Sequence, residues 1–255
     1  MKLLLAALRC EKGDIAGNRR AHERVVAAAF EAGADIVVFP EMSLTGSVDP
    51  RSHPAHLAAL DDPEVLALAA ATRDTRLTVV FGVAERAASD AAHITQCVAR
   101  GGELVGAQRK RHLGEGEEGF TPARTSGTAA VFEHDGARFG IVICAESQVA
   151  FPSDDAVDAG AGVVLFCAAP GLDPPRRRSD DAWRDALSWW ESAGLADMCG
   201  HAARRRVWVA VATQAGATHD EDFPGLAALV DPSGAVTARL PDWREGTLLV
   251  DIPFV

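Results

Sequence analysis

Four segments of this sequence set a reactive side chain directly after an apolar run. In the first, Phe39-Pro40-Glu41 follows Ile36-Val37-Val38. A run apolar on both faces reads as a doubly buried strand, and Pro40 stops sheet pairing and turns the chain outward. A carboxylate at the mouth of such a strand loses solvation, so its pKa rises toward that of a general base. In the second, Lys110 stands within Gln108-Arg109-Lys110-Arg111-His112. On a strand it shares a face with His112, while Arg109 and Arg111 take the usual exposed face. The third is the Gly- and Glu-rich stretch 114–119, which offers Glu118 as a second carboxylate above a cleft. In the fourth, Cys144 closes the run Phe139-Gly140-Ile141-Val142-Ile143 and is followed by the small and polar Ala145 and Glu146. That is the setting of a nucleophile at a strand-to-helix turn. Ala145 and Glu146, next to it, are expected to contact substrate.

The set Glu41, Lys110 and Cys144 makes coherent chemistry. A free thiol has a pKa near 8.5, so only about a few per cent is thiolate at neutral pH. A neighbouring ammonium stabilises the thiolate, and a carboxylate can accept its proton. The thiolate then attacks an amide or nitrile carbon, and the ammonium with backbone N–H groups holds the developing oxyanion. The protonated carboxyl gives its proton to the departing amine and then activates water against the thioester. This scheme needs no metal and no cofactor. Cys10, Cys97, Cys167 and Cys199 read as core thiols, although Cys167 also ends a strand and could line the same cleft.

Elements that would position these groups follow from periodicity. Strands are expected at 3–8, 35–39, 77–83, 94–100, 104–111, 129–133, 138–144, 227–230 and 236–240, with helices at 18–32 and 63–72. Gly33 stops the first helix, and Gly101-Gly102 and Asp135-Gly136 are hairpin turns. A helix carrying Trp183, Trp189 and Trp190 follows the loop around Pro174 and Pro175. The stretch 31–39 is matched half a chain later by 158–166, each running from a helix through Ala-Gly-Ala into a Val-rich strand ending in Phe. Chance is one reading, since such joints are common in α/β folds. The other is two similar halves whose sheets face each other with helices outside.

The chain has 255 residues, 48% hydrophobic and 24% charged, as a globular α/β protein does. Its 36 acidic and 25 basic residues leave a net charge of −11, which disfavours nucleic acid and anionic membrane surfaces as partners. Only Lys2, Lys12 and Lys110 are lysines. Five widely spaced cysteines without metal-ligand spacing argue for a reducing compartment, so a cytoplasmic location is expected. The opening apolar run is too short for a signal peptide, and no stretch approaches a membrane span. His219-Asp220-Glu221-Asp222 reads as a solvated acidic loop.

On these motifs the chain resembles the carbon–nitrogen hydrolase (nitrilase) superfamily of amidases, N-carbamoyl amide hydrolases and nitrilases. The matching pieces are Phe39-Pro40-Glu41 with Leu44-Thr45-Gly46, the Lys110 segment, Glu118-Gly119-Phe120-Thr121-Pro122, and Gly140 to Glu146. Weaker matches are Asn18 and the segment from Val230 to Gly234. The resemblance implies one domain over residues 1–255 and a four-layer αββα sandwich. It implies Glu41 as base, Lys110 as transition-state stabiliser, Cys144 as nucleophile and Glu118 as a substrate-orienting carboxylate. A homodimer or higher homo-oligomer acting on a small-molecule amide is expected. Departures lie at Ala145-Glu146, where family members often carry an aromatic or polar residue and then Asp, and at Thr213-Gln214, where Asn is usual. They bear on which substrate fits. A nitrilase, or a binding protein that has lost catalysis, are the alternatives. Arg176-Arg177-Arg178 at a pocket mouth would favour an anionic substrate.

Overall fold

The computed structural model describes residues 1–87, 91–123, 130–172, 179–240 and 244–253. The three arginines at 176–178 lie outside them. The first half of the chain runs β1 (Lys2–Ala7), α1 (Ile15–Glu31), β2 (Ile36–Val38), α2 (Pro63–Ala70), β3 (Thr78–Arg86), β4 (Ala92–Arg100) and β5 (Glu103–Arg109). The second runs β6 (Val131–His134), β7 (Ala137–Ile143), α3 (Ala150–Asp158), β8 (Val163–Ala168), α4 (Asp180–Trp189) and α5 (Ala196–Arg205). It continues through β9 (Trp208–Thr213), β10 (Ala215–Ala217), β11 (Asp222–Pro224), β12 (Ala227–Val230) and β13 (Val236–Arg239), and ends with β14 (Gly246–Asp251).

Two six-stranded sheets result, in the orders β14-β1-β2-β3-β4-β5 and β13-β12-β9-β8-β7-β6. In each, three central strands are parallel, β1-β2-β3 and β7-β8-β9, and the outer pairs are antiparallel. Alternate residues divide each sheet between two cores, as the pleat requires. Leu3, Leu5, Ile36 and Val38 pack against Phe139, Ile141, Val163 and Leu165 between the sheets. Leu4, Val37 and Phe39 face Val26 of α1 and Leu68 of α2 on one outer face. Val142, Val164 and Phe166 face Met198 and Ala202 of α5 on the other. The order of layers is therefore helix, sheet, sheet, helix, as expected.

The internal repeat is structural. Its two copies enter β2 and β8, which hold equivalent central places, and Leu3 pairs with Ile36 as Phe139 pairs with Val163. Gly33 (φ 67°) and Gly160 (φ 94°) both take the left-handed conformation that ends a helix. Each is followed by the same back-bond, Ala34 N–H to Ala29 and Ala161 N–H to Ala156. Among the described residues no helix is long and apolar enough to cross a membrane.

Candidate active site

Equivalent strand ends from the two halves open toward one another, and the reactive side chains sit there. β2 ends at Val38, and Glu41 follows after the two residues Phe39 and Pro40. The loop that carries it is fixed from several directions. Gln96 of β4 donates to the Phe39 carbonyl at 2.9 Å, and Gln214, between β9 and β10, donates to the Glu41 carbonyl at 2.8 Å. Met42 takes a φ of 48°, a left-handed turn for a residue with a side chain. Gly82 of β3 lets this turn lie on the strand. A Cβ there would stand 2.3 Å from the Met42 nitrogen and 2.7 Å from the Pro40 oxygen. Behind the loop, the buried His22 ring contacts Ser43 Oγ at 2.9 Å, and Ser43 accepts from the Gly82 amide at 3.1 Å.

Lys110 is the first residue past β5, one step beyond the strand rather than within it. Its backbone is held on both sides, by Ile94 O and by the Ala123 amide, each at 2.8 Å. Its ammonium donates to Glu41 Oε1 at 2.7 Å and to Glu117 Oε1 at 2.6 Å. Lys110 is 0% exposed and Glu41 1%. The second oxygen of Glu41 accepts the Ala169 amide, just after β8, at 3.0 Å. Glu41 is thus held by groups from both sheets.

Cys144 follows β7 at a φ of 44°. A left-handed non-glycine residue at a strand end costs about 1–3 kcal/mol, a strain that clusters at functional sites. The turn lifts the sulfur out of the sheet, and Cys144 is half-buried where Cys10, Cys97 and Cys167 are fully enclosed. Its thiol lies within hydrogen-bonding reach of Glu41 and of the Ala169 amide.

The electrostatics follow from this enclosure. Burial raises Glu41 to about 7, outweighing the opposing pull of Lys110, while Glu117 adds to the rise. Burial, together with the Glu41 charge, pushes the Cys144 thiol up to about 12, and Lys110 only moderates that rise. Lys110 would be lowered by burial, but Glu41, Cys144 and Glu117 carry it upward, so it stays an ammonium. A lysine that leaves the cysteine as standing thiolate is therefore not what this site contains.

Several expectations are corrected. Glu118 does not overhang the cleft: its side chain is 60% exposed, 3.5 Å from Arg51. Glu117 takes that place, 16% exposed, one oxygen on Lys110 and the other on the Gly114 amide at 2.6 Å. The two adjacent glutamates alternate in direction, and sequence alone does not say which turns inward. Ala145 is buried, its methyl pointing to Gly114, where an added Cβ would come to 3.0 Å. Glu146 is fully enclosed and spends both oxygens on backbone amides, Arg111 at 2.7 Å and Ile143 at 2.8 Å. It faces the protein, not a substrate. Arg109 and Arg111 are not a free basic face either: Arg109 grips the buried Glu85 with two bonds, and Arg111 is itself buried against Asp155. The loop at 219–222 is only partly solvated, since Lys12 pairs with Asp220 at 3.0 Å and Glu221 at 2.8 Å and Asp222 is buried. Gln96, Gly82 and Glu117 were not singled out by sequence, and Gln214 was noted only as a departure bearing on substrate, not as a support of the Glu41 loop. The Gly that interrupts the apolar run of β3 was the one visible signal among them.

Comparison with known proteins agrees with this architecture. An amidase from Nesterenkonia sp. AN1, solved with acrylamide added at its active-site cysteine, superposes with a TM-score of 0.80 at 21% identity, covering 99% of this chain and 93% of that one. The glutamine-dependent NAD+ synthetase of Acinetobacter baumannii gives a TM-score of 0.78 at 19% identity over 97% of this chain. Among curated relatives, the glutamine-dependent NAD(+) synthetase of Xylella fastidiosa strain Temecula1 is 27% identical over 98% of this chain, and that of Xanthomonas campestris pv. campestris strain 8004 is 31% identical over 73%. The chain spans only 44% and 34% of those two proteins. The carbon–nitrogen hydrolase family model matches residues 4–255, essentially the whole chain, and the protein belongs to that family.

Proposed function

We propose that the protein hydrolyses a small carboxamide or N-carbamoyl compound through a thioester on Cys144. The observation that carries this reading is the buried meeting of Glu41, Lys110 and Cys144, with a carboxylate raised to about 7 beside a thiol raised to about 12. Glu41 takes the thiol proton as sulfur attacks the carbonyl carbon and the C–S bond forms. The Lys110 ammonium, with the amide of Ala145 at the elbow, receives the oxyanion. Glu41 returns the proton to nitrogen, the C–N bond breaks, and ammonia or an amine leaves. Water then gives a proton to Glu41 and adds to the thioester. The C–S bond breaks, the acid departs, and the proton goes back to Cys144. Glu117 keeps Lys110 charged and in place and can accept an N–H of the substrate amide.

A nitrile as substrate would pass through the same thiolate. The small Ala145 beside the nucleophile, where nitrilases usually carry Trp, favours an amide. Because the curated relatives depend on glutamine, glutamine heads the panel of amides to try. The test is ammonia release over primary amides, N-carbamoyl amino acids and nitriles, with Cys144→Ala as the control. Turnover of an amide that vanishes in the variant supports the reading; turnover that survives it ends the reading, and no turnover of any compound by the intact protein favours a binding protein.

A further inference from the structure

Glu146 stands outside the chemistry, yet its carboxylate touches the backbone beside two of the reacting groups. Oε1 accepts the amide of Arg111, the residue after Lys110, and Oε2 accepts the amide of Ile143, the residue before Cys144. The two segments come from opposite sheets, one leaving β5 and the other leaving β7. One rigid planar group therefore bridges the ends of both. We propose that Glu146 is a positioning residue that sets the separation of Lys110 and Cys144 by holding the backbone next to each.

A carboxylate suits this task because it only accepts. Both oxygens can take an N–H, whereas an amide side chain would turn its own donors toward one of the two backbone amides. Residues with these bonds have little freedom: Glu146 is 0% exposed, and Lys110 is also pinned through Ile94 and Ala123. Releasing one end of the bridge should let the ammonium and sulfur drift apart. Misplacement on the order of an ångström costs a catalytic site about 10- to 100-fold.

The proposal rests on Cys144 being the reactive thiol of the proposed hydrolase, and its test does not need the substrate. The rate of iodoacetamide with Cys144 is followed across pH in the full-length protein by mass spectrometry. Lys110 and the Ala169 amide both lower this thiol, so a looser pair of ammonium and sulfur moves the alkylation profile toward higher pH. Glu146→Gln should move that profile toward higher pH and slow alkylation at pH 7 by about tenfold. Leu68→Ala, a core truncation under α2 on the far outer face, serves as a control of comparable instability. Should Glu146→Gln not fold, Glu146→Asp, which keeps the charge but is one methylene too short to span both amides, is read the same way with a smaller shift. A shifted profile in the Glu146 variant alone supports the assignment. An unshifted profile, or the same shift in Leu68→Ala, overturns it and leaves Glu146 with a purely structural role. If no amide proves to be a substrate while the profile shifts, the positioning role stands and only the hydrolase reading fails.

Discussion

Glu41 and Lys110 face each other at 2.7 Å, and solvent reaches almost nothing of either. An exposed pair at this distance would simply depress the carboxyl. Here desolvation of the carboxylate outweighs the attraction of the ammonium, so Glu41 lies above its ordinary range. The same enclosure works on the thiol in the same direction. Both groups are thus pushed toward their protonated forms, and in the proposed mechanism the thiol proton passes to Glu41.

That rise fixes the sign of the pH dependence. In the proposed mechanism Glu41 must be ionised in the free protein to accept the thiol proton. As pH falls through about 7 the fraction of base drops, so kcat/KM should fall with a slope approaching one decade per pH unit. Glu41→Gln should abolish turnover at every pH. A stopped-rate ammonia assay from pH 5 to 9 reads this directly, and an acid limb near 4.5 would show that burial does not govern Glu41.

Removing Lys110 should be felt in stability as well as rate. Glu41 is raised above its ordinary value of 4.5, so the fold binds its proton more tightly than the unfolded chain does, and its ionisation weakens the fold as pH rises between about 4.5 and 7. Without the ammonium, Glu41 and Glu117 would face each other uncompensated. Lys110→Met should lose about 3–5 kcal/mol at pH 8, and part of that loss should return at pH 5.5, where Glu41 is protonated. Denaturant titrations at the two pH values measure it. A loss independent of pH would mean that the two carboxylates are not what is left unpaired.

The adjacent glutamates separate cleanly. Glu117→Gln removes one of the two carboxylates on Lys110 and should lower kcat by about 10- to 100-fold. Glu118→Gln alters an exposed side chain near Arg51 and should leave kcat and KM within about twofold, since surface substitutions of this kind are close to neutral. Steady-state kinetics on the two variants decide the matter, and the opposite pattern would return the second carboxylate to Glu118.

The parts that were legible in sequence are those with a repeating physical signal. The Ala-Gly-Ala joints at 33 and 160 announced two matching halves, because the helix stop and the buried strand each leave a local mark. The strand-end rule brought out Glu41, Lys110 and Cys144. What did not show is orientation and long-range hydrogen bonding. Glu117 and Glu118 differ only in which way a short loop turns them. Glu146 looked like a pocket residue because it follows the cysteine, and only the return of Arg111 from the other sheet shows where its carboxylate is spent. Gln214 meets the Glu41 carbonyl from a distant part of the chain, and no periodicity reports that.

Gly82 provides a test of how closely the base depends on its support. The residue lies inside β3, where glycine is ordinarily a weakness, and its neighbours are backbone atoms of the Glu41 loop. A methyl placed there would meet the Met42 nitrogen at 2.3 Å and the Pro40 oxygen at 2.7 Å. Neither atom is the end of a side chain that can swing aside, so Gly82→Ala must push the loop off the strand. Overpacking of this kind costs about 1–3 kcal/mol. The displaced atoms flank Glu41 on both sides, and Leu44 N–H bonds to the Gly82 carbonyl at 2.8 Å, so the displacement reaches the base. The variant should therefore lose more in kcat than its stability loss implies at a temperature where it is still folded. Equal kcat in folded Gly82→Ala and the parent would mean that Glu41 is held by Lys110, Ala169 and Gln214 alone and that the close approach at Gly82 serves packing only.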